Sequence, residues 1–302
     1  MKSMYPESIQ ALGTFGATGN ALFFFCSGYT LMLARQDIFS SWYKRRISRI
    51  WPTVFVYFGL IAPLFWLAIG YDYKITPQQL WLGGRFWFIK CIAVYYVFYW
   101  LIMRYCSQHI NKLFYFSIVP SIVVFFLLPV YKEAIYATPL RYVFFFNFML
   151  LGAILAKRQT EQRNLAKDLI ITIVCIILFY AIQFVGKGKS NYLYYIQIFS
   201  IIPLILFVYY FYQSVNKSIF NNFLDNTLFG KIIRFVAALC LEVYMVGALC
   251  ITPDYNYLFP LNFIIVFMEI LIISYIVKVL SNFIIQSFQD KPYSFKQMFV
   301  II

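Results

Sequence analysis

At 302 residues, 63% of them hydrophobic and only 12% charged, with a mean hydropathy of +0.75, this chain is far more apolar than a soluble domain, where about half the residues are apolar and about a quarter charged. Its net charge of +14 would suit a nucleic-acid partner, but the cations sit in short segments between apolar runs, where topology signals sit, so no nucleic acid is expected. The six cysteines (Cys26, Cys91, Cys106, Cys175, Cys240 and Cys250) lie in or beside apolar runs without paired metal spacing; they read as small buried hydrophobes rather than a disulfide frame or a metal site.

The apolar residues recur in runs long enough to cross a hydrocarbon core of about 30 Å, which takes roughly twenty residues of helix. The pattern predicts an all-α, polytopic transmembrane bundle with nine spans, at 15–34, 52–70, 86–103, 113–130, 139–156, 169–186, 193–213, 233–252 and 261–282. The whole of 1–302 reads as a single integral-membrane domain. Residues 1–15 are largely polar, and no small-residue cleavage site follows a short apolar core, so no signal peptide is expected.

The first span ends at Ala34. Arg35 and the segment Trp42 to Pro52 follow, in which Lys44, Arg45, Arg46 and Arg49 fall within six residues. Such a cluster cannot sit in hydrocarbon, and cation excess marks the cytoplasmic face. Pro52, Pro139 and Pro260 read as openings of apolar runs, where a missing N–H costs nothing. The breaks at 71–74, 157–161 and 187–191 are too polar to enter lipid. Pro63, Pro120 and Pro203 fall inside spans and predict kinks that a packed bundle can repair. With residues 35–51 placed inside, seventeen of the 25 cations fall on inner segments and eight on outer ones. That is the sign the orientation demands. It sets the amino terminus outside and the carboxyl terminus inside, as though a ten-span chain had lost its first helix.

Several stretches, in order, carry a resemblance. They are Leu22-Phe23-Phe24-Phe25-Cys26-Ser27-Gly28-Tyr29, the basic Arg45-Arg46-Ile47-Ser48-Arg49-Ile50-Trp51-Pro52, and Phe86-Trp87-Phe88-Ile89 with Tyr95 and Tyr96. Further on stand Phe146-Asn147-Phe148-Met149-Leu150-Leu151-Gly152 and Leu241-Glu242-Val243-Tyr244-Met245-Val246. Together they resemble the membrane-bound acyltransferase-3 family, which O-acylates surface polysaccharides and other extracytoplasmic acceptors. Two departures stand out. The family's first helix, with its arginine and catalytic histidine, has no counterpart here, and Gly247 occupies the place of a later, less uniform histidine. The resemblance thus implies an acyltransferase in a truncated or inactive form, or one whose first helix lies upstream.

The candidate site residues follow. Arg46 and Arg49 share a helical face three residues apart, and Arg45 and Arg49 four apart. That fork matches phosphate oxygens, and the resemblance makes it the dock for acyl-CoA, with Arg35 beside it. The competing reading is a cluster that only fixes topology. Glu242 and Glu269 lie within spans, where a carboxylate faces the bundle interior. Each is a candidate base or cavity group, or else a structural carboxylate neutralised by a cation. His109, the one histidine, sits in an inner loop with nothing nearby to orient it and is disfavoured as catalyst. Trp87, Arg85 and Lys90, at the outer interface, are belt anchors or acceptor contacts. Ser27, Gly28 and Tyr29 suit close helix approach better than a nucleophile elbow.

These readings converge on an acyltransferase of the cell inner (plasma) membrane that takes an acyl group, acetyl in the simplest case, from acyl-CoA as co-substrate. No tightly bound cofactor is expected. The acceptor would be a hydroxyl on an extracytoplasmic glycan or lipid-linked sugar, and the partners are the bilayer and that carbohydrate, with the number of copies open. The alternative is a transporter or flippase for a lipid-linked saccharide, against which stands the absence of an internal repeat. A third is a non-enzymatic scaffold.

Overall fold

The computed structural model describes residues 16–34, 38–69, 87–129, 136, 139–158, 163–186, 191–251, 253–287 and 292–300. Among these the regular structure is helical throughout, with no strand. The longer helices are α1 (Gly16–Leu33), α2 (Phe39–Val56), α3 (Ala62–Ile69), α4 (Trp87–Tyr105), α5 (Ile110–Leu127) and α6 (Phe146–Lys157). They continue with α7 (Leu165–Gly186), α8 (Ile201–Val215), α9 (Ser218–Asn226), α10 (Leu228–Ala238), α11 (Cys240–Cys250) and α12 (Leu261–Gln286).

Among the described residues six helical stretches are long and apolar enough to cross a membrane: Phe39–Phe65, Trp87–Tyr105, Ser107–Leu127, Leu165–Gly186, Tyr192–Val215 and Leu261–Gln286. The other three expected spans meet shorter or less apolar helices. α1 is diluted by small and polar residues, among them Thr18, Gly19, Asn20, Ser27 and Gly28. α6 has 12 residues and reaches only about 18 Å. The expected span 233–252 is broken at Leu239, which closes α10 and opens α11.

The start of the second expected span also differs from the sequence reading. Pro52 does not open a helix; it lies buried inside α2, which starts at Phe39. The reason is the segment before it. Phe39, Trp42, Tyr43, Arg46 and Ile50 recur at helical spacing, Trp42 and Ile50 are buried, and the amphipathic stretch therefore helps nucleate the span. Past Pro52 the helix runs through a π turn, Tyr57–Ile61, into α3, and this widened turn just before Pro63 accommodates the ring and missing N–H that would break a regular α-helical ladder. Pro203 sits in the first turn of α8, after the 3₁₀ turn Tyr195–Ser200. Pro120, like Pro52, lies inside a long α-helix, here α5.

The chain folds as two compact units, Met1–Gln36 with Tyr95–Phe220 and Asp37–Val94 with Asn221–Ile302. In the first, α1 crosses α6 at glycines. A Cβ on Gly28 would stand 1.8 Å from the Met149 carbonyl oxygen, and one on Gly152 would stand 2.1 Å from that of Phe25. The Tyr99 hydroxyl donates to the Gly28 carbonyl at 3.0 Å. Where lipid is as apolar as the side chains, such backbone proximity is what holds helices together. Several buried polar groups in this unit are paired, as a lipid medium favours. Asn147, fully buried, donates to the Phe144 carbonyl at 2.8 Å and accepts from Ser117 at 2.6 Å. Gln183 donates to Ser200 at 2.7 Å, and Ser200 donates to the Gln197 carbonyl.

This geometry gives a clean contrast. Gly28→Ala has no rotamer that avoids the Met149 backbone and should cost about 3 kcal/mol, the upper range for overpacking. Gly19, exposed with nothing within 4 Å of its Cβ position, should accept alanine with no loss. Melting in detergent micelles, compared for the two variants, reads the difference.

In the second unit α2 packs along α12, which also packs on α11. The Tyr43 hydroxyl donates to the Ala93 carbonyl at 3.3 Å, and the Phe88 and Tyr244 rings meet at 5.5 Å.

Candidate functional site

The basic end of α2 carries Lys44, Arg45 and Arg49 exposed and Arg46 half-buried. Trp42, one turn before Arg46, is 1% exposed, and its ring lies under the Arg46 guanidinium at 5.4 Å. A cation over an indole face is held electrostatically, and the planar guanidinium stacks where an ammonium would not. Arg46 is therefore oriented by its own helix, with Arg45 and Arg49 on adjoining turns. This is a row of cations on a rigid rod rather than a loose loop.

The opposite, apolar half of the same helix is pinned by a buried charge. Glu242, 1% exposed, opens α11. Its Oε1 accepts from the Thr53 hydroxyl at 3.2 Å and from the Lys278 ammonium at 3.2 Å. Three helices, α2, α11 and α12, thus meet at one carboxylate oxygen. The second oxygen, Oε2, is buried and has no hydrogen-bond partner among the described residues. On α12 the buried Ser274 and Ser281 share the face of Lys278, one turn to either side. Burying an ion pair is tolerated only when the charges are matched and hydrogen-bonded, and Glu242 meets that condition through one oxygen.

The remaining expected residues fall as follows. Glu269 is half-buried on α12, and no ion pair reaches it among the described residues. His109 ends an exposed 3₁₀ turn, Ser107–His109, between α4 and α5. Trp87 and Lys90 stand half-buried on the first turn of α4, the Trp87 ring edge-on to Phe88 at 6.2 Å. Gly28 and Tyr29 lie at the crossing of α1 with α6, Ser27 beside them is half-buried, and Tyr212 donates to the Tyr29 hydroxyl at 3.4 Å. Arg35 and Arg85 lie outside the described residues.

A second buried carboxylate was not singled out by the sequence. Asp168, 1% exposed in the first turn of α7, pairs with Arg163 at 3.2 Å and Lys217 at 3.7 Å. Lys217 also donates to the Arg163 carbonyl at 2.7 Å. Burial works against the charge on Arg163. The hydrogen bond and charge of Asp168, with Tyr209 and Tyr210, outweigh it and hold the guanidinium pKa above its ordinary value. This knot closes the ends of α7 and α8 and keeps its cations occupied, so it is a brace. Among the described residues no three of His, Cys, Asp and Glu come together to hold a metal ion.

Across residues 3–283 the sequence matches the family model described as the acyltransferase domain of acyltransferase-3. The chain belongs to the acyltransferase-3 family. That membership and the six apolar helices make it a membrane protein of acyltransferase type. Comparison with curated proteins and with solved structures returns no match. Two of the stretches that carry the resemblance lie in the arrangements just described. The basic motif is the exposed end of α2, and the Leu241–Val246 motif places Glu242 against the apolar part of that same helix.

Proposed function

We propose that this acyltransferase-3 protein moves an acyl group, acetyl in the simplest case, from acyl-CoA to a hydroxyl of an extracytoplasmic glycan or lipid-linked sugar. It would work as a single integral domain of the inner (plasma) membrane, with the basic end of α2 and the carboxyl terminus on the cytoplasmic side. Arg45, Arg46 and Arg49, with Arg35, would hold the phosphates of the donor, which exists only on that side. Trp87 and Lys90, with Arg85, would meet the acceptor, an indole face being suited to a sugar ring.

The observation that carries this reading is the oriented cation row on α2. A cluster that only sets topology needs charge, whereas this one also has a planar guanidinium fixed over Trp42. Phosphate recognition uses that fixed geometry. In the transfer, the acceptor oxygen bonds to the thioester carbonyl carbon and the carbon–sulfur bond breaks. The hydroxyl proton passes to the leaving sulfur, giving ester and free CoA. The base that relays the proton is not assigned to Glu242, whose engaged oxygen already serves Thr53 and Lys278, nor to exposed His109.

Purified protein in liposomes, supplied with labelled acetyl-CoA on the basic side and a lipid-linked glycan acceptor, tests the proposal. Donor bound at the basic face, with label passed to the acceptor and CoA released, supports it. Movement of the saccharide across the bilayer with the thioester intact and no donor bound would replace it with the transporter.

A further inference from the structure

Two short helices, α9 and α10, form a stiff hairpin that neither the family motifs nor the proposed reaction uses. Thr227, the single residue between them, caps α10: its hydroxyl accepts from the Gly230 N–H at 2.9 Å and donates to the Phe223 carbonyl at 2.7 Å. Gly230 lets the helices touch, since a Cβ there would stand 2.5 Å from the Leu224 Cα. Phe223 and Phe229 meet ring to ring at 6.1 Å, and Arg234 reaches back to Asp225. Neither helix hangs on flexible chain.

The hairpin has two unlike sides. At 100° per residue, Leu228, Phe229, Ile232, Ile233 and Val236 cover one face of α10, and Lys231 and Arg234 the other. The apolar face is not buried: Leu228 is 76% exposed, Phe229 61% and Ile232 49%. At 9 and 11 residues the helices reach about 14 and 17 Å, half of what a crossing needs. Their place in the chain narrows the occupant. The apolar stretch Tyr192–Val215 ends two residues before α9, which leaves the hairpin at a membrane surface. Beyond α10 the turn at Leu239 ends one helix and starts the next, so α10 does not run on into α11 as a straight span.

We propose that α9 and α10 lie in the plane of the membrane. The Phe229–Ile232–Ile233 face sits at the boundary of headgroups and acyl chains, Lys231 on its flank reaches anionic headgroups, and Arg234 stays paired with Asp225 on the water side. Amphipathic helices with exposed aromatic and aliphatic residues on one side and cations on the other bind at that depth, and each cation near an anionic surface adds to the attraction. The assignment does not depend on which acyl group or acceptor the protein uses.

The test places a trifluoromethyl-phenylalanine at Phe229 in the full-length protein, in bilayers of phosphatidylcholine and phosphatidylglycerol. The same label at Phe98, exposed near the middle of α4, gives the deep reference. Lipids carrying a nitroxide near the headgroup should broaden the Phe229 fluorine signal several-fold more than lipids carrying it at the chain end, with the order reversed at Phe98. A Phe229 signal broadened most by the chain-end nitroxide would mean that α10 crosses the bilayer. A signal broadened by neither would mean that water, another protein or a second copy covers the face. Either result overturns the proposal.

Discussion

Lys278→Met alone is expected to destabilise the protein by about 3–5 kcal/mol, the penalty for leaving a buried charge without its partner. Glu242 would keep only the Thr53 hydroxyl at 3.2 Å, with its second oxygen already unbonded among the described residues. Glu242→Leu with Lys278→Met removes both charges together. That double variant should lie within about 1 kcal/mol of the parent, because matched apolar replacements of a buried pair are often neutral or better. Thr53 then has a local alternative, since a threonine hydroxyl can turn to the carbonyl one turn back on its own helix. Reversible unfolding in mixed micelles of the parent, the two single variants and the double variant measures the coupling directly. A double variant as unstable as Lys278→Met would show that the pair is not what joins α2, α11 and α12.

Arg46→Ala with Arg49→Ala is expected to weaken acyl-CoA binding about a hundredfold, two charge-assisted contacts at about 1.5 kcal/mol each. Stability should hardly move, because Arg49 is exposed and Arg46 touches the outside of Trp42. Arg46→Lys separates the roles of charge and shape. Lysine keeps the charge but loses the planar stack and the fork, so binding should fall about tenfold rather than stay whole. Titration of CoA into protein in lipid nanodiscs reads both variants against the parent. Unchanged binding with misoriented insertion would return the cluster to a topology role.

Much of this was legible in the residues because lipid imposes so simple a rule. Runs of apolar residues about twenty long had to be helices, and the described chain is helical at all nine expected positions, six of them with crossing length. Family membership was legible too, from short motifs in a fixed order, and a family model matches residues 3–283. Boundaries were harder. Pro52 looked like a start signal, but the stretch from Phe39 already had the helical period that buries Trp42 and Ile50, and a packed helix can absorb a proline. Leu239 carries no glycine or proline to announce the break between α10 and α11.

Partners across the fold were harder still. Glu242 was visible as a carboxylate in an apolar run, while Thr53 and Lys278 lie 189 and 36 residues away. Lys278 lies inside the expected span 261–282, and a cation at such a depth is itself a sign of a buried partner. Asp168 drew no notice beside Lys167, and it proved to be the anion that gathers Arg163 and Lys217.

The most direct test of the account is photolabelling with an acyl-CoA analogue that carries a photoreactive azide on its adenine ring, beside the phosphates, applied to membrane vesicles of each orientation. The account predicts label on the peptide bearing Arg45, Arg46 and Arg49, in inside-out vesicles only, with competition by free CoA. Label that reached this peptide only in right-side-out vesicles, or that bypassed it in both, would contradict the account.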